Sequence, residues 1–187
     1  MNVTQLLALN ARKQRCDPDS GHPDNSTSGL QDMLRSLTTL NMVLEIGSYR
    51  GVSAECFALM AKHVICVDHW SGREGHTYQP FLQIVSLYAN ISILHMMSKD
   101  AFEIIGYNCV DMVYIDGAHD YNNVNLDITL WHHKCRHLSG HDYGIPDVKR
   151  AVDEYGLMIG RTPEIFADSS WLFRDKPSPT RKVTELP

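Results

Sequence analysis

Residues 111–124, DMVYIDGAHDYNNV, run from an apolar, β-branched stretch into Asp116, His119 and Asp120. A second acid–imidazole pair, His141 and Asp142, stands in SGHDYG at 139–144. Carboxylates and imidazoles grouped at strand ends can hold a divalent cation, move protons near neutral pH, or cap the helix that follows. Asp120 suits the last role, because it precedes a helix expected to start near Asn122. Asp116 and Asp142 suit the first: two carboxylates with one more oxygen ligand make a hard site for Mg²⁺, Mn²⁺ or Ca²⁺, and a histidine ligand shifts it towards Mn²⁺ or Zn²⁺. Without metal, His119 or His141 would act as general base, with Asp116 orienting the base or the substrate.

Those residues work together only if the chain brings two strand ends side by side. The runs MVLEIG (42–47), VICVDHW (64–70), ISILHM (91–96) and CVDMVYID (109–116) are short, apolar and strand-like. Helical spacing occupies LQDMLRSL (30–37), VSAECFALMAKH (52–63), QPFLQIVSLYA (79–89), KDAFEIIG (99–106) and NNVNLDITLWHHK (122–134). A further short strand falls in RHLSGHDY (136–143), before a helix over IPDVKRAVDEYG (145–156) with Pro146 at its start and Gly156 at its end. PEIFADSSWLFRD (163–175) reads as two strands joined by a turn, with Trp171, Leu172 and Phe173 in the core. This alternation predicts an α/β fold: a doubly wound, Rossmann-like, mostly parallel sheet with helices on both faces and an antiparallel C-terminal edge hairpin. The expected organisation is one domain over 30–175, a partly flexible N-terminal extension over 1–29 and a Pro-rich tail over 176–187.

Ligands of such sheets bind at the carboxyl ends of the strands. The first strand ends in LEIGSYRGVSAE (44–55), where Gly47 and Gly51 bracket a tight turn. The second ends at Asp68, about twenty residues on, the spacing of an acid that binds ribose hydroxyls. Together they predict an adenosine-bearing ligand. The turn is not the G-x-G-x-x-G of dinucleotide sites, because Tyr49 takes the place of the central glycine. Glu45, two residues before the first glycine, suits a ligand with positive charge, such as the amino group of a methionine moiety.

The ordered set E-I-G-x-x-x-G-x-S, V-D-x-W, Y-I-D-G-x-H-x-Y and S-G-H-D-Y, followed by V-K-R-A-V-D-E, resembles the class I S-adenosylmethionine-dependent methyltransferases over about residues 30–174. More narrowly it resembles the methyltransferase-24 type, related to catechol and macrolide-sugar O-methyltransferases. Tyr49 departs from the superfamily's generic glycine pattern and fits this subtype. The resemblance implies Glu45, Gly47, Ser48, Gly51 and Ser53 around the methionine part of S-adenosylmethionine. It implies Asp68 on the ribose, His69 or Trp70 near the adenine, and Ser98 and Asp100 along the adenine rim, with Asp116 facing the cofactor. It also implies Mg²⁺ on Asp116 and Asp142, with the third ligand open among His119, Asp120 and His141, since Tyr143 stands where an Asn or Asp would follow.

Composition is that of an ordinary globular chain of 187 residues, 43% apolar and 21% charged, with a formal net charge of −5. The acidic balance argues against nucleic acid as partner. No stretch approaches the ~18 apolar residues of a membrane span, and basic residues follow the N-terminal apolar patch instead of preceding it. Five scattered cysteines point to a reducing, cytoplasmic setting, with Cys56, Cys66 and Cys109 expected as buried hydrophobes. The histidines of LWHHKCRHLSGH (130–141) lack the spacing of a structural zinc site. SGREGHTYQP (71–80) is either a surface loop or a lid over the adenine, and Lys149 and Arg150 open a solvated helix face. The expected function is methyl transfer to an oxygen of a small, sugar- or polyol-like acceptor. The alternatives are an NAD-linked oxidoreductase on a similar sheet and a non-catalytic S-adenosylmethionine-binding module. The chain carries little inserted sequence for a deep acceptor pocket, so a homo-oligomer completing that pocket is also expected.

Overall fold

A computed structural model of the chain describes residues 27–175, Thr38 and Asn108 excepted. The N-terminal extension up to residue 26, Cys16 within it, and the tail 176–187 lie outside the described residues. Helix α1 (Ser28–Ser36) precedes β1 (Leu40–Ile46), α2 (Val52–Met60) and β2 (Ala61–Asp68). A 3-10 turn (Gly72–Thr77) leads into α3 (Tyr78–Val85), then β3 (Ile91–His95), α4 (Ser98–Ile104), β4 (Val110–Ile115) and α5 (Tyr121–Trp131). The described residues end with β5 (Cys135–Gly140), α6 (Pro146–Ile159), β6 (Glu164–Ile165) and β7 (Trp171–Phe173).

The seven strands lie in the order β3-β2-β1-β4-β5-β7-β6. All neighbours through β5 are parallel, while β5–β7 and β6–β7 are antiparallel. Successive strand residues point to opposite faces, and both faces are dry. Val43, Val64, Met112 and Leu172 pack with Leu34, Phe57 and Phe81 beneath α1–α3. Leu44, Ile65, Val113 and Leu138 pack with Ile128, Trp131 and Val152 beneath α4–α6. The doubly wound sheet with an antiparallel edge is therefore as expected. Its strand order reverses between β1 and β4, and that switch point positions the site.

Several local expectations change. The helix expected to reach His63 stops at Met60, because Ala61 and His63 pair with Leu40 and Met42 and extend β2 backwards. Helix α6 runs past Gly156 and ends at Gly160, whose φ of 67° makes the left-handed cap. Gly156 is small for packing instead: a Cβ there would lie 2.6 Å from the Arg161 carbonyl oxygen. Cys109 is exposed, not buried, since it sits in the turn before β4 and its thiol donates to the Gly106 carbonyl. Cys56 and Cys66 are buried as expected, and the described cysteines form no disulfide. SGREGHTYQP forms the 3-10 turn and the start of α3, with Thr77 buried. Lys149 and Arg150 pair with Asp153 and Glu154 along the exposed face of α6. No helix among the described residues is long and apolar enough to cross a membrane.

Candidate active site

The turn after β1 is built to let a ligand reach the backbone. Gly47 and Gly51 take φ of 85° and 84°, values that favour glycine. Gly47 has a second reason to lack a side chain, since a Cβ would lie 2.1 Å from the Asp116 carbonyl oxygen at the end of β4. Cofactor turn and acid cluster are therefore in direct contact across the switch point.

Beneath the turn, Glu45 is fully buried. One carboxylate oxygen accepts from the Ser53 hydroxyl and the other faces the Cys66 thiol at 3.5 Å. Burial pushes Glu45 up to about 7, with the nearby Ser48 and Ser53 hydroxyls opposing. The Ser48 hydroxyl is buried yet makes no hydrogen bond of good geometry within the described residues. A buried carboxylate and the buried Ser48 hydroxyl beneath a glycine turn could hold the amino-acid end of S-adenosylmethionine.

Asp68 accepts the Tyr49 and Trp70 amide N–H groups, each at 2.9 Å. A carboxylate has about four lone-pair sites, so two remain for ribose hydroxyls. His69 is exposed at the rim. Trp70, the other residue expected near the adenine, is instead buried against Phe81 and Tyr78, and its indole N–H donates to the Tyr49 carbonyl. It braces the turn from below. Asp100 is exposed in the first turn of α4. The Ser98 hydroxyl donates to Asp127 and accepts from the Trp131 indole, so it braces α4 against α5.

Across the switch point, the register Ile115↔Gly140 places Asp116 beside His141. Asp142 lies between two imidazoles: His119 Nε2 at 2.9 Å from one carboxylate oxygen and His141 Nδ1 at 3.1 Å from the other. His141 Nδ1 is also 3.9 Å from Asp116. Burial alone would raise Asp142, but the hydrogen bonds from His119 and His141 hold it well below the usual carboxylate range. Burial would lower His141, yet Asp142 and Asp116 outweigh it and push the imidazole up to about 9. The bond to Asp142 raises His119. Burial pushes Asp116 up to about 7, the His141 charge opposing. The two carboxylates thus favour the protonated form of His141, whereas burial favours the neutral form of Asp116.

One ligand atom each from Asp116, His119 and Asp142 lies within 4.8 Å of the others. His119 is thus the residue that lies close enough to complete an N,O,O set with the acid pair. Asp120 does not, because it caps α5 by accepting from the Asn123 amide. The cluster opens into a small crevice walled by Ala118, Val124, Val148 and Trp171. A larger groove of about 520 Å³ lies at the far edge, around Leu157, Arg161 and Glu164, away from every residue of this cluster. The histidines of 130–141 fall in separate places: the His132 and His133 rings lie 3.5 Å apart at the end of α5, whereas His137 is buried and accepts the Asp175 amide. Sequence reading passed over Trp171 as core, yet its indole N–H reaches the His141 carbonyl at 3.0 Å.

A glycine turn against an acidic strand end, at the switch point of this strand order, defines a nucleotide-type ligand site on a Rossmann-like sheet. Residues 44–143 match the methyltransferase-24 family, a methyltransferase domain, and the chain belongs to that family. The match selects methyl transfer over the NAD-linked alternative. Among solved structures, the chain is similar to the O-methyltransferase from Bacillus cereus in complex with S-adenosylhomocysteine (13% identity, TM-score 0.60, 92% of this chain and 90% of that one). It is also similar to the N-methyltransferase NodS from Bradyrhizobium japonicum WM9 (15% identity, TM-score 0.56, 79% and 95%). A third is an rRNA methylase from Streptococcus thermophilus (14% identity, TM-score 0.58, 76% and 90%). At such identities the likeness is of fold alone, and these names span oxygen, nitrogen and RNA. The acceptor must therefore be argued from the site. No curated protein matches the chain.

Proposed function

We propose that the chain transfers the methyl group of S-adenosylmethionine to a hydroxyl oxygen of a small, sugar- or polyol-like acceptor, with a divalent cation on Asp116, His119 and Asp142. The observation that carries this reading is the convergence of those three ligand atoms within 4.8 Å, next to the cofactor turn. When bound, the cation would lower the pKa of the acceptor hydroxyl and hold its oxygen. The mixed donor set suits Mn²⁺ as well as Mg²⁺. Other steps fall to the chain itself. Glu45 and the Gly47 turn hold the methyl donor. The acceptor oxygen approaches in line, the new C–O bond forming as the S–C bond breaks. The hydroxyl proton leaves to solvent, since a carboxylate that holds a cation cannot also take it. Placement of the two reactants supplies most of the rate.

The 2.9 Å contact between His119 and Asp142 favours a second, metal-free reading, in which Asp142 orients His119 as base. Methyl transfer from labelled S-adenosylmethionine to a panel of hydroxylated acceptors, after chelation and again after Mg²⁺ or Mn²⁺ is restored, separates the two. The metal reading expects chelation to cost at least ~100-fold, or ~3 kcal/mol of barrier. Full activity in chelator selects the His119 base, and transfer only to nitrogen acceptors sinks the proposal.

Glu45 gives cofactor binding a pH dependence of known sign. The ligand ammonium pairs with the ionised carboxylate, whereas the empty site holds a proton up to about pH 7. Affinity for S-adenosylhomocysteine therefore rises with pH through 7 and levels off above it, falling about tenfold per unit below. Calorimetry from pH 5.5 to 8.5 checks this, and Glu45→Gln should flatten the curve. A flat curve in the parent protein would remove Glu45 from the ammonium site.

A further inference from the structure

We propose that Trp171 and the turn before β7 are positioning elements of the methyl-transfer site: they tether both peptide groups flanking Asp142, so that its carboxylate stays between His119 and His141. This rests on the proposed function only in taking Asp142 as part of the reacting cluster.

Asp142 has a φ of 59°, in the left-handed region. That conformation costs a residue with a side chain ~1–2 kcal/mol and persists where neighbours enforce it. The enforcing contacts are specific. The carbonyl before Asp142 belongs to His141 and accepts the Trp171 indole N–H at 3.0 Å. The amide after it belongs to Tyr143 and donates to the Ser169 carbonyl at 3.1 Å. Two peptide planes meet at one α-carbon, so holding both planes holds both backbone dihedrals of Asp142.

The tether is itself rigid. Trp171 is fully buried and pairs with Gly140 across β5 and β7. A Cβ on Gly140 would lie 2.5 Å from the indole ring, so ring and strand interlock. Ser169 is also left-handed, with a φ of 67°. Buried Asp168 fixes that turn: its carboxylate accepts the Ser170 amide at 3.0 Å and the Leu30 amide of α1 at 2.6 Å. Reacting groups need placement to within ~0.5 Å, and a loop residue attains that only through such supports.

Trp171→Phe keeps a ring and removes the N–H. The folded variant should bind S-adenosylhomocysteine within about twofold of the parent, while Mn²⁺ affinity, read by electron paramagnetic resonance, falls ~10-fold. The imidazole ¹⁵N shifts of His119 and His141 should move away from their Asp142-bonded values. Unchanged imidazole shifts in a folded Phe variant overturn the proposal. Should the parent bind no Mn²⁺, the metal reading fails by itself and the imidazole shifts decide the tether. Should the variant lose S-adenosylhomocysteine binding through misfolding, hydrogen exchange in the parent decides. The Trp171 indole N–H and the Tyr143 amide must both be protected, and exchange of either at the free-peptide rate overturns the proposal.

Discussion

Exchanging Asp142 for Asn is expected to slow methyl transfer by roughly 10²–10⁴-fold while leaving S-adenosylhomocysteine affinity within about twofold. The two side chains have nearly the same shape, so the turn should fold. What disappears is the negative charge between two imidazoles, at 2.9 Å from His119 and 3.1 Å from His141. A carboxamide has one acceptor oxygen, and its NH₂ cannot accept from the second ring. Loss of that charge removes the hydrogen-bond partner that raises both imidazoles, so both pKa values should fall. It also removes one of the two carboxylate ligands proposed for the cation. Both readings of the cluster, metal-assisted and His119-based, predict the loss. Initial rates with labelled S-adenosylmethionine and calorimetry of S-adenosylhomocysteine check it. An Asn variant within threefold of the parent rate would exclude Asp142 from the chemistry altogether.

The second large effect is at Gly47. Gly47→Ala is expected to cost about 2–5 kcal/mol of stability, combining left-handed strain with overpacking, and to abolish measurable S-adenosylhomocysteine binding. Its Cβ would lie 2.1 Å from the Asp116 carbonyl oxygen and 2.6 Å from the Gly117 α-carbon. Both are backbone atoms, so no rotamer change relieves the clash and the end of β4 must move. Gly160 is the natural control. Its φ of 67° is also left-handed, but an added Cβ would meet nothing within 4 Å. Gly160→Ala should therefore cost only ~1–2 kcal/mol and leave binding intact. Urea unfolding of the two variants side by side, with calorimetry, makes the comparison. Equal effects would show that strain alone, and not the contact between cofactor turn and acid cluster, governs the site.

Much of this was legible in the sequence because the signals are local. A buried parallel strand reads as an apolar run, and three of the four central runs end at Gly47, Asp68 and Asp116, residues that mark strand ends. Asp120 is legible as a cap because capping is a contact between near neighbours, here with Asn123. Boundaries read less well. Ala61 and His63 carry helical spacing yet pair with β1, and that pairing depends on a strand twenty residues earlier. Gly156 resembles a helix end until Arg161 and Phe173 pack against it. The motif that names His69 or Trp70 for the adenine does not reveal that Trp70 is buried against Phe81 and Tyr78 while His69 is exposed.

By itself the sequence determined the class of sheet, the glycine turn with Glu45 before it, and the candidacy of Asp116, His119, His141 and Asp142. Period, glycine placement and residue chemistry are properties of short segments, and they survive without knowledge of what lies across the fold. Only the tertiary structure decided that His119 lies beside the two carboxylates, that His141 bonds Asp142, and that Asp142 is turned left-handed between them. Those outcomes depend on contacts between residues far apart in the chain, such as Trp171 with His141 and Asp168 with Leu30. A hydrogen bond between distant residues leaves no period and no spacing in the chain; it exists only once the packed sheet has brought its partners together.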